Sequence, residues 1–264
     1  MQTFTRTLGR LSLLTATLGA ITLSAPAAEA ALLIAPSASD TVVFSAGADQ
    51  ETSGPVALPF AFSFFGSSQS QAYINTNGSL TFGTGDADTT FDTFPGAFAP
   101  NTARIAPFLD DLIVSPTTSD IRYSTTIPGV FAVTWNNVGI FNGFTTQSNN
   151  SVSAQAILLG AGNPYGYADG TILFSYGTIS DASPNLSAGL DAGNGTNVAV
   201  LPFAFSNGTF SSTQAIGLSN RLFAFTPTGS SYAVTEVPEP SAVAGLAAMA
   251  IGGFWVKRRR TSKA

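Results

Sequence analysis

Residues 58–82 read LPFAFSFFGSSQSQAYINTNGSLTF, and this stretch decides the fold. Phe60, Phe62 and Phe64 alternate with small residues, which is the two-residue period of a strand that buries one face. Further along, Asn77-Gly78 separates two short apolar segments, and this dipeptide favours a type I′ turn because Asn and Gly accept positive φ. The stretch therefore predicts antiparallel strands joined by short turns.

The same pattern continues through the chain. Further strands are predicted at four segments rich in aromatic and β-branched residues, 131–135, 152–159, 172–176 and 222–226. The Gly- and Asn-rich segments 160–164 and 193–197 are typical of loops. Because no segment predicts an amphipathic helix, we expect an all-β fold, an antiparallel β-sandwich-like single domain.

The strand pattern sets the expected boundaries. Residues 56–227 should form the β domain, residues 31–55 an N-terminal extension or first strand, and residues 228–240 a linker. Within the domain, the sequence LPFAFS occurs at 58–63 and again at 201–206. Two copies are too few for a solenoid, so the recurrence predicts paired or facing strands.

Charge and residue content argue against several function classes. Residues 31–236 contain three arginines, thirteen carboxylates and no lysine, a formal charge of −10, whereas seven of the ten basic residues lie in the terminal segments. Such an acidic stretch repels phosphate polymers, which makes nucleic acid a poor candidate partner. The chain has no cysteine and no histidine, so thiolate sites, imidazole sites and histidine bases are absent. We expect no catalytic residues.

Residues 1–30 have the composition of a secretory signal peptide. Two arginines precede an apolar run at 11–23, and Ala28 and Ala30 form a small-x-small cleavage motif before Ala31. The run is too short to span a bilayer comfortably, which argues against an N-terminal anchor. We predict cleavage after Ala30 and export of the remaining chain.

The C-terminal end contains a second membrane-directed segment, the apolar run 241–256. As a helix it would be about 24 Å long, against a hydrocarbon core of about 30 Å, so it can cross if flanking cations snorkel. Four cations follow the run, and they are Lys257, Arg258, Arg259 and Arg260. The positive-inside rule predicts that the tail 257–264 is cytoplasmic and that the β domain lies on the opposite side.

The tail also carries a motif. Pro238-Glu239-Pro240, then the apolar run, then the Arg-rich end together resemble the PEP-CTERM sorting signal over residues 237–260. The resemblance implies that the three motif residues are recognised by an exosortase, a membrane-embedded transpeptidase-like enzyme of Gram-negative bacteria that make extracellular polysaccharide. It implies an inner-membrane intermediate and a final place at the cell surface or outside the cell. The alternative is a Pro-rich linker before an ordinary anchor.

The β domain has motifs of its own, in the order aromatic strand, Phe-Gly turn, N-T-N-G hairpin and later aromatic strands. They lie at 60–66, 73–83, 105–111, 133–139 and 174–177. In order and spacing they resemble the nidogen-like, or NIDO, domain across residues 56–192. Its members are extracellular and mostly associated with matrix and cell adhesion. Leu109 replaces an aromatic residue of that family and no Cys-bearing module follows, so the resemblance implies no specific matrix partner.

Calcium is the one cofactor for which the sequence offers ligands. Apart from calcium, the sequence predicts no cofactor. Asp86, Asp88 and Asp92, and separately Asp110-Asp111, supply hard oxygens in expected loops of an exported protein. Neither group has EF-hand spacing or a Gly-rich calcium repeat. The alternative is that these aspartates cap turns and keep the surface soluble.

The leading hypothesis is a non-enzymatic cell-surface or matrix protein that takes part in adhesion or in biofilm and exopolysaccharide organisation. Its expected partners are an exosortase-type enzyme, the membrane, and an extracellular polysaccharide or matrix protein. A carbohydrate-binding module stays open as an alternative, and it would use four loop aromatics, Tyr165, Tyr167, Phe141 and Phe144. A secreted hydrolase that uses paired carboxylates is the third possibility.

Overall fold

The computed structural model describes residues 32–86, 102–115, 119–141, 152–180, 186–202 and 211–238. Within these ranges nearly all regular structure is β, and the strands form two antiparallel sheets that share one core. The predicted all-β antiparallel fold is confirmed. The predicted signal peptide and the segments 241–256 and 257–264 lie outside the described residues.

The elements are, in chain order, β1 (Thr41–Phe44), β2 (Val56–Phe64), β3 (Ser67–Asn75), β4 (Ser79–Phe82), β5 (Ala103–Leu109), β6 (Leu112–Ile113), β7 (Asp120–Ser124), β8 (Val130–Ile140), β9 (Val152–Leu159), β10 (Ile172–Ile179), β11 (Ser187–Asp191), β12 (Val198–Val200), α1 (Ser212–Ile216), β13 (Leu222–Pro227) and β14 (Tyr232–Val237). The larger sheet has the order β1-β7-β8-β9-β10-β13-β14, with β6 also paired to β8, and the smaller sheet has the order β12-β11-β5-β4-β3-β2.

Two turns build the first part of the smaller sheet. Phe65 and Gly66, both at positive φ, connect β2 to β3, which is the backbone of a two-residue type I′ turn. The turn at Asn77-Gly78 differs from the prediction, because Asn75 pairs with Ser79 across three residues and only Gly78 has positive φ. A three-residue loop with Gly in the left-handed region replaces the predicted type I′ turn.

Tertiary contacts explain this difference. The Oδ1 atom of Asn77 accepts a hydrogen bond from the Leu112 amide at 3.1 Å, so the turn is held against the corner between β5 and β6. A Cβ atom at Gly78 would lie 1.7 Å from the carbonyl oxygen of Phe108. The hairpin itself is confirmed, but long-range packing decides its turn geometry.

Aromatic side chains fill the space between the sheets. Phe62 and Phe64 of the smaller sheet, and Trp135 and Phe174 of the larger, are at most 1% exposed. Burying each such side chain contributes about 1.5–3 kcal/mol relative to leaving it in water. The predicted one-sided alternation of the aromatics in β2, β8 and β10 is therefore confirmed.

Three polar atoms on core aromatics also link the layers. The Trp135 Nε1–H donates to the Asn75 carbonyl at 3.0 Å, the Tyr176 hydroxyl to the Pro107 carbonyl at 2.7 Å, and the Tyr232 hydroxyl to the Ser63 carbonyl at 3.1 Å. Burial raises the pKa of Tyr176 well above its ordinary value, which keeps this donor neutral. Each link orients one sheet relative to the other.

The described structure changes two of the expected boundaries. Residues 228–240 were assigned to a linker, yet Tyr232–Val237 forms β14 and pairs with all six residues of β13. Tyr232 and Val234, at alternate positions, bury one side of this edge strand. This burial outweighs the turn preference of the residues around it. Of the two options for residues 31–55, the structure contains a first strand, β1, with irregular chain and turns on either side of it.

A short helix was not expected. Ser211 caps α1, and its side chain and that of Gln214 form the reciprocal capping box that the spacing Ser-x-x-Gln encodes. Ala215 of this helix is fully buried. Residues 203–206 of the second LPFAFS copy lie outside the described residues, so its pairing stays a prediction.

Candidate functional site on the outer face of the larger sheet

Residues 32–40, which we call the strap, cross the outer face of the larger sheet. The Leu33 amide donates to Ser175 Oγ of β10 at 2.8 Å, and the Ile34 amide donates to Gln155 Oε1 of β9 at 3.2 Å. Further along, Arg122 Nη1 of β7 donates to the Ser37 carbonyl at 3.0 Å. The strap thus runs from β10 across to β7, and then enters β1 at the edge of the sheet.

The positions that hold the strap belong to one row of residues across the sheet. Ser175 is paired with Gln155, Gln155 with Thr134, and Thr134 with Arg122. In the other direction Ser175 is paired with Leu222, and Leu222 with Val237 of β14. Because side chains alternate along strands, these residues point away from the core that Phe174 and Trp135 occupy. The strap follows the polar part of this row.

Gln155 is the central contact of the strap. Its side chain is fully buried, and its Nε2 donates to the Ile34 carbonyl at 2.6 Å and to Thr134 Oγ1 at 2.8 Å. The amide therefore pairs with both the N–H and the C=O of Ile34, as a neighbouring strand would. An unpaired buried amide costs about 1–3 kcal/mol, so the strap and Gln155 stabilise each other.

An apolar surface surrounds the strap. Seven sheet residues form its buried base, and they are Val130, Ala132, Ile157, Leu159, Leu173, Leu222 and Ala224. Six partly exposed residues cover this base, and we call them the outer patch: Leu33, Ile34, Ile127, Tyr165, Tyr167 and Val237. The central strands are consequently buried on both faces, which one-sided alternation did not predict.

The aromatics proposed for carbohydrate binding have different environments. Tyr165 and Tyr167 lie in the loop between β9 and β10 and pack on the outer face, where burial raises the pKa of Tyr165. Asn163 fixes this loop by donating to the carbonyls of Gly160 and Tyr167, both at 2.9 Å. Phe141 directly follows β8, and its amide donates to the Asp111 carbonyl at 2.7 Å. Phe144 lies outside the described residues.

Carboxylates meet at the corner between β5 and β6. Asp110 is buried and accepts a hydrogen bond from the Asp111 amide at 2.9 Å, while one carboxylate oxygen each of Asp49 and Asp111 is buried without a hydrogen-bond partner. Burial, and secondarily the charges of Asp49 and Asp110, raise the pKa of Asp111 to about 6. Asp110 and Asp111 lie between β5 and β6, in a connection as the sequence predicts.

In the other proposed calcium group, the described aspartate is bound by other protein groups. Asp86 forms an ion pair with Arg104, both side chains being largely buried, and its amide donates to Asn75 Oδ1 at 3.1 Å. Asp88 and Asp92 lie outside the described residues. Within the described ranges, no group of three or more carboxylates is placed to hold a metal ion. Calcium binding stays a prediction from the sequence.

The predicted sorting residues lie at or beyond the end of the described chain. Pro238 is exposed and follows β14 directly, whereas Glu239, Pro240 and the basic cluster 257–260 are outside the described residues. The same is true of the cleavage residues Ala28, Ala30 and Ala31. No helix in the ranges that the structure describes is both long and apolar enough to cross a membrane.

The fold defines a two-layer antiparallel β domain whose larger sheet is covered by an N-terminal strap. A family model described as NIDO related matches residues 27–235, and the chain belongs to this NIDO-related family. No curated protein and no solved structure matches it. The family confirms the nidogen-like part of the resemblance and indicates an extracellular domain. The family model extends beyond the predicted domain end at 227, consistent with β14 as part of the domain.

Proposed function

We propose that this chain is an exported, non-enzymatic protein of the cell surface or extracellular matrix, sorted through its C-terminal Pro-Glu-Pro tail. Its β domain would act in adhesion or in the organisation of a biofilm or exopolysaccharide. The partners in this proposal are an exosortase-type enzyme, the membrane during sorting, and a polysaccharide or matrix protein afterwards. Nucleic acid is not among them, because the domain is strongly acidic.

One observation carries the proposal: the β domain fills the interval between the two export segments. Leu33 is already bound to the sheet, three residues after the predicted cleavage at Ala30. At the other end, Val237 is the last residue of β14 and is followed by Pro238. The termini of the domain therefore coincide with the points at which signal and tail would be removed.

The environments of the acidic residues support a non-enzymatic role. Asp86 neutralises Arg104, and Arg122 binds both Asp120 and the strap. The acidic corner around Asp111 has no histidine or lysine beside it, since neither residue type occurs in the domain. An acid–base reaction at this corner would have to rely on carboxylates alone.

Terminal mass mapping in a host that contains an exosortase tests this proposal. The wild-type chain should be recovered with Ala31 at its N-terminus and without the segment 241–264. Glu239→Gln should accumulate with an intact tail. Glu236→Gln is the matched control, because it makes the same chemical change three residues earlier, in β14, and should be processed normally. A wild-type chain ending at Ala264 in these cells would contradict the sorting part of the proposal.

The surface role needs a second measurement. Deletion of the gene should reduce surface attachment or matrix cohesion, and a chain carrying its tail should restore it. A chain truncated after Pro238 should be exported. It should restore less surface attachment than the full chain if sorting through the tail brings the domain to the cell surface. Full attachment in the deletion strain would argue against adhesion while leaving export untouched.

A further inference from the structure

The two ends of the β domain meet on one part of the outer face. Leu33 is bonded to Ser175 of β10, Ser175 is paired with Leu222 of β13, and Leu222 is paired with Val237 of β14. Neighbouring strands are about 4.8 Å apart, so Ser175 and Val237 are separated by about 10 Å across the sheet. Leu33 and Val237 also pack on the same apolar base. Both chain ends therefore leave the domain beside the outer patch.

The connections from these ends to the membrane-directed segments are short. Three residues lie between Val237 and Ser241, the first residue of the C-terminal apolar run. The two positions are therefore four residues apart and at most about 14 Å from each other when the chain is fully extended. Leu32 and Leu23, the last residue of the signal's apolar run, are nine residues apart, which corresponds to at most about 32 Å. An inserted tail would hold the surface around Val237 close to the bilayer.

The chemistry of the outer patch suits such a position. Its six residues are two tyrosines and four aliphatic residues, partly exposed and without a formal charge. Tyrosine favours the membrane–water interface because its ring is apolar and its hydroxyl stays hydrated. The nearest charges along β14 form an ion pair, Arg221 with Glu236, at 2.5 Å. Because the domain as a whole is acidic, an uncharged zwitterionic headgroup layer is the fitting partner.

We propose that the outer patch is the membrane-facing surface of the tethered precursor and rests on the headgroup region of a zwitterionic bilayer. This inference depends on the proposed function, since it requires the tail to be inserted. It gives the domain one orientation, with the larger sheet towards the membrane and the smaller sheet away from it. The same contact places the Pro238 junction at the membrane surface.

The absence of cysteine allows a direct test with full-length protein in phosphatidylcholine vesicles. Ile127→Cys would carry an environment-sensitive dye in the outer patch, and Ala168→Cys would carry the same dye beside Tyr167. Ser70→Cys is the matched control, because Ser70 is exposed on β3 of the smaller sheet. Ala168 is exposed as well, so Ala168→Cys should fold even if Ile127→Cys does not.

The expected result is a blue-shifted dye emission and at least threefold stronger quenching by spin-labelled lipid at positions 127 and 168 than at position 70. Equal quenching at all three positions in protein that floats with the vesicles would overturn the orientation and leave the sorting proposal standing. Protein that does not float with the vesicles would overturn tail insertion, and with it this inference.

Discussion

The side chain of Gln155 and the backbone of Ile34 exchange two hydrogen bonds across 121 residues of sequence, at 3.2 Å and 2.6 Å. Gln155 is fully buried, and Ile34 belongs to the strap that covers the larger sheet. This pairing links the first described residues of the domain to its central strands by two hydrogen bonds. It makes the strap a structural part of the sandwich.

Replacement of Gln155 by alanine tests the strap directly. The change removes three hydrogen bonds and leaves the buried C=O of Ile34 without its described side-chain donor, so we expect the free energy of unfolding to fall by about 2–3 kcal/mol. Gln71→Ala, on an exposed position of β3, should change it by less than about 0.5 kcal/mol. Urea denaturation followed by tryptophan fluorescence measures both. Equal stability of the two variants would show that the strap is not held by Gln155.

Two glycines have nearly the same φ angle but different surroundings. Alanine substitutions at the two positions therefore distinguish the cost of backbone strain from the cost of a steric collision. Gly78 and Gly66 have φ of +81° and +84°, but only Gly78 is packed against the backbone of Phe108. Gly66→Ala should cost about 1 kcal/mol, the ordinary cost of a left-handed alanine. Gly78→Ala should cost more than about 3 kcal/mol, since the turn must move away from β5.

Thermal denaturation of the two alanine variants at one pH provides this comparison. A difference in melting temperature of less than two degrees would contradict the close approach between the N-T-N-G turn and β5.

Two ion pairs differ in burial, and we expect them to contribute differently to the free energy of unfolding. Arg104 and Asp86 are largely buried, whereas Arg221 and Glu236 are partly exposed. Asp86→Ala should lower the free energy of unfolding by about 2–4 kcal/mol, because it leaves a buried guanidinium without this carboxylate. Glu236→Ala should cost less than about 1 kcal/mol and lose that effect in high salt. A cost of Asp86→Ala that is as small as that of Glu236→Ala and also disappears in high salt would argue that the Arg104 pair is hydrated.

Asp111 should make the domain more stable in mild acid. Its pKa in the folded state, about 6, lies above the ordinary value of 3.8, so the folded chain binds this proton more tightly than the unfolded chain does. The ionised Asp111 carboxylate therefore destabilises the folded state by its full amount above pH 6, and this destabilisation disappears as the pH falls from 6 towards 4. With solvent screening of a partly exposed carboxylate, we expect a gain on the order of 1 kcal/mol between pH 7.5 and pH 5.

Asp111→Asn is the matched variant for this pH dependence. It should be more stable than the wild type at pH 7.5 and should show a smaller gain on acidification. Asp49 and Asp191 also have raised pKa values, caused mainly by burial. Both titrate in the two proteins, so the difference between the two pH profiles reports Asp111 together with its coupling to Asp49 and Asp110. Identical pH profiles would contradict the assignment.

The calcium hypothesis can be tested with the same variant. A calcium ion bound at Asp110 and Asp111 would lower the pKa of Asp111 and remove the stabilisation in acid, because the ion favours the ionised carboxylates. The hypothesis therefore predicts that millimolar calcium raises the melting temperature of the wild type at pH 7.5 and has no effect on Asp111→Asn. No heat in a calorimetric titration and no shift in melting would dismiss calcium at this corner.

The sequence predicts those parts of the fold that local pattern decides. Alternation around Phe62, Trp135 and Phe174 is visible because these side chains pack on one face of regular strands. The short helix had a local signal as well, in the capping pair Ser211 and Gln214, but its single turn is too short for helical periodicity to appear. Tyr232 and Val234 likewise alternate in β14, beside residues typical of turns.

Other features depend on partners that are distant in the sequence. Leu32, Leu33 and Ile34 are apolar, yet nothing near them specifies Ser175 or Gln155 as their contacts. The turn at Asn77 has a type I′ sequence, and contacts with Leu112 and Phe108 change its geometry. Asp49 was not singled out, because its approach to Asp111 arises from the pairing of the N-terminal chain with β6. Such contacts follow from topology, which local patterns do not encode.

The strap has a consequence for the order of events during export. With the proposed cleavage after Ala30, the strap would be the first part of the mature chain, whereas its partners Ser175 and Gln155 follow Leu33 and Ile34 by 142 and 121 residues. Contacts between such distant residues form late, because the intervening chain must first be ordered. We therefore expect the domain to remain unfinished until strand β10 has crossed the membrane. A sandwich that its own leading end must close would thus stay incompletely folded during the proposed export.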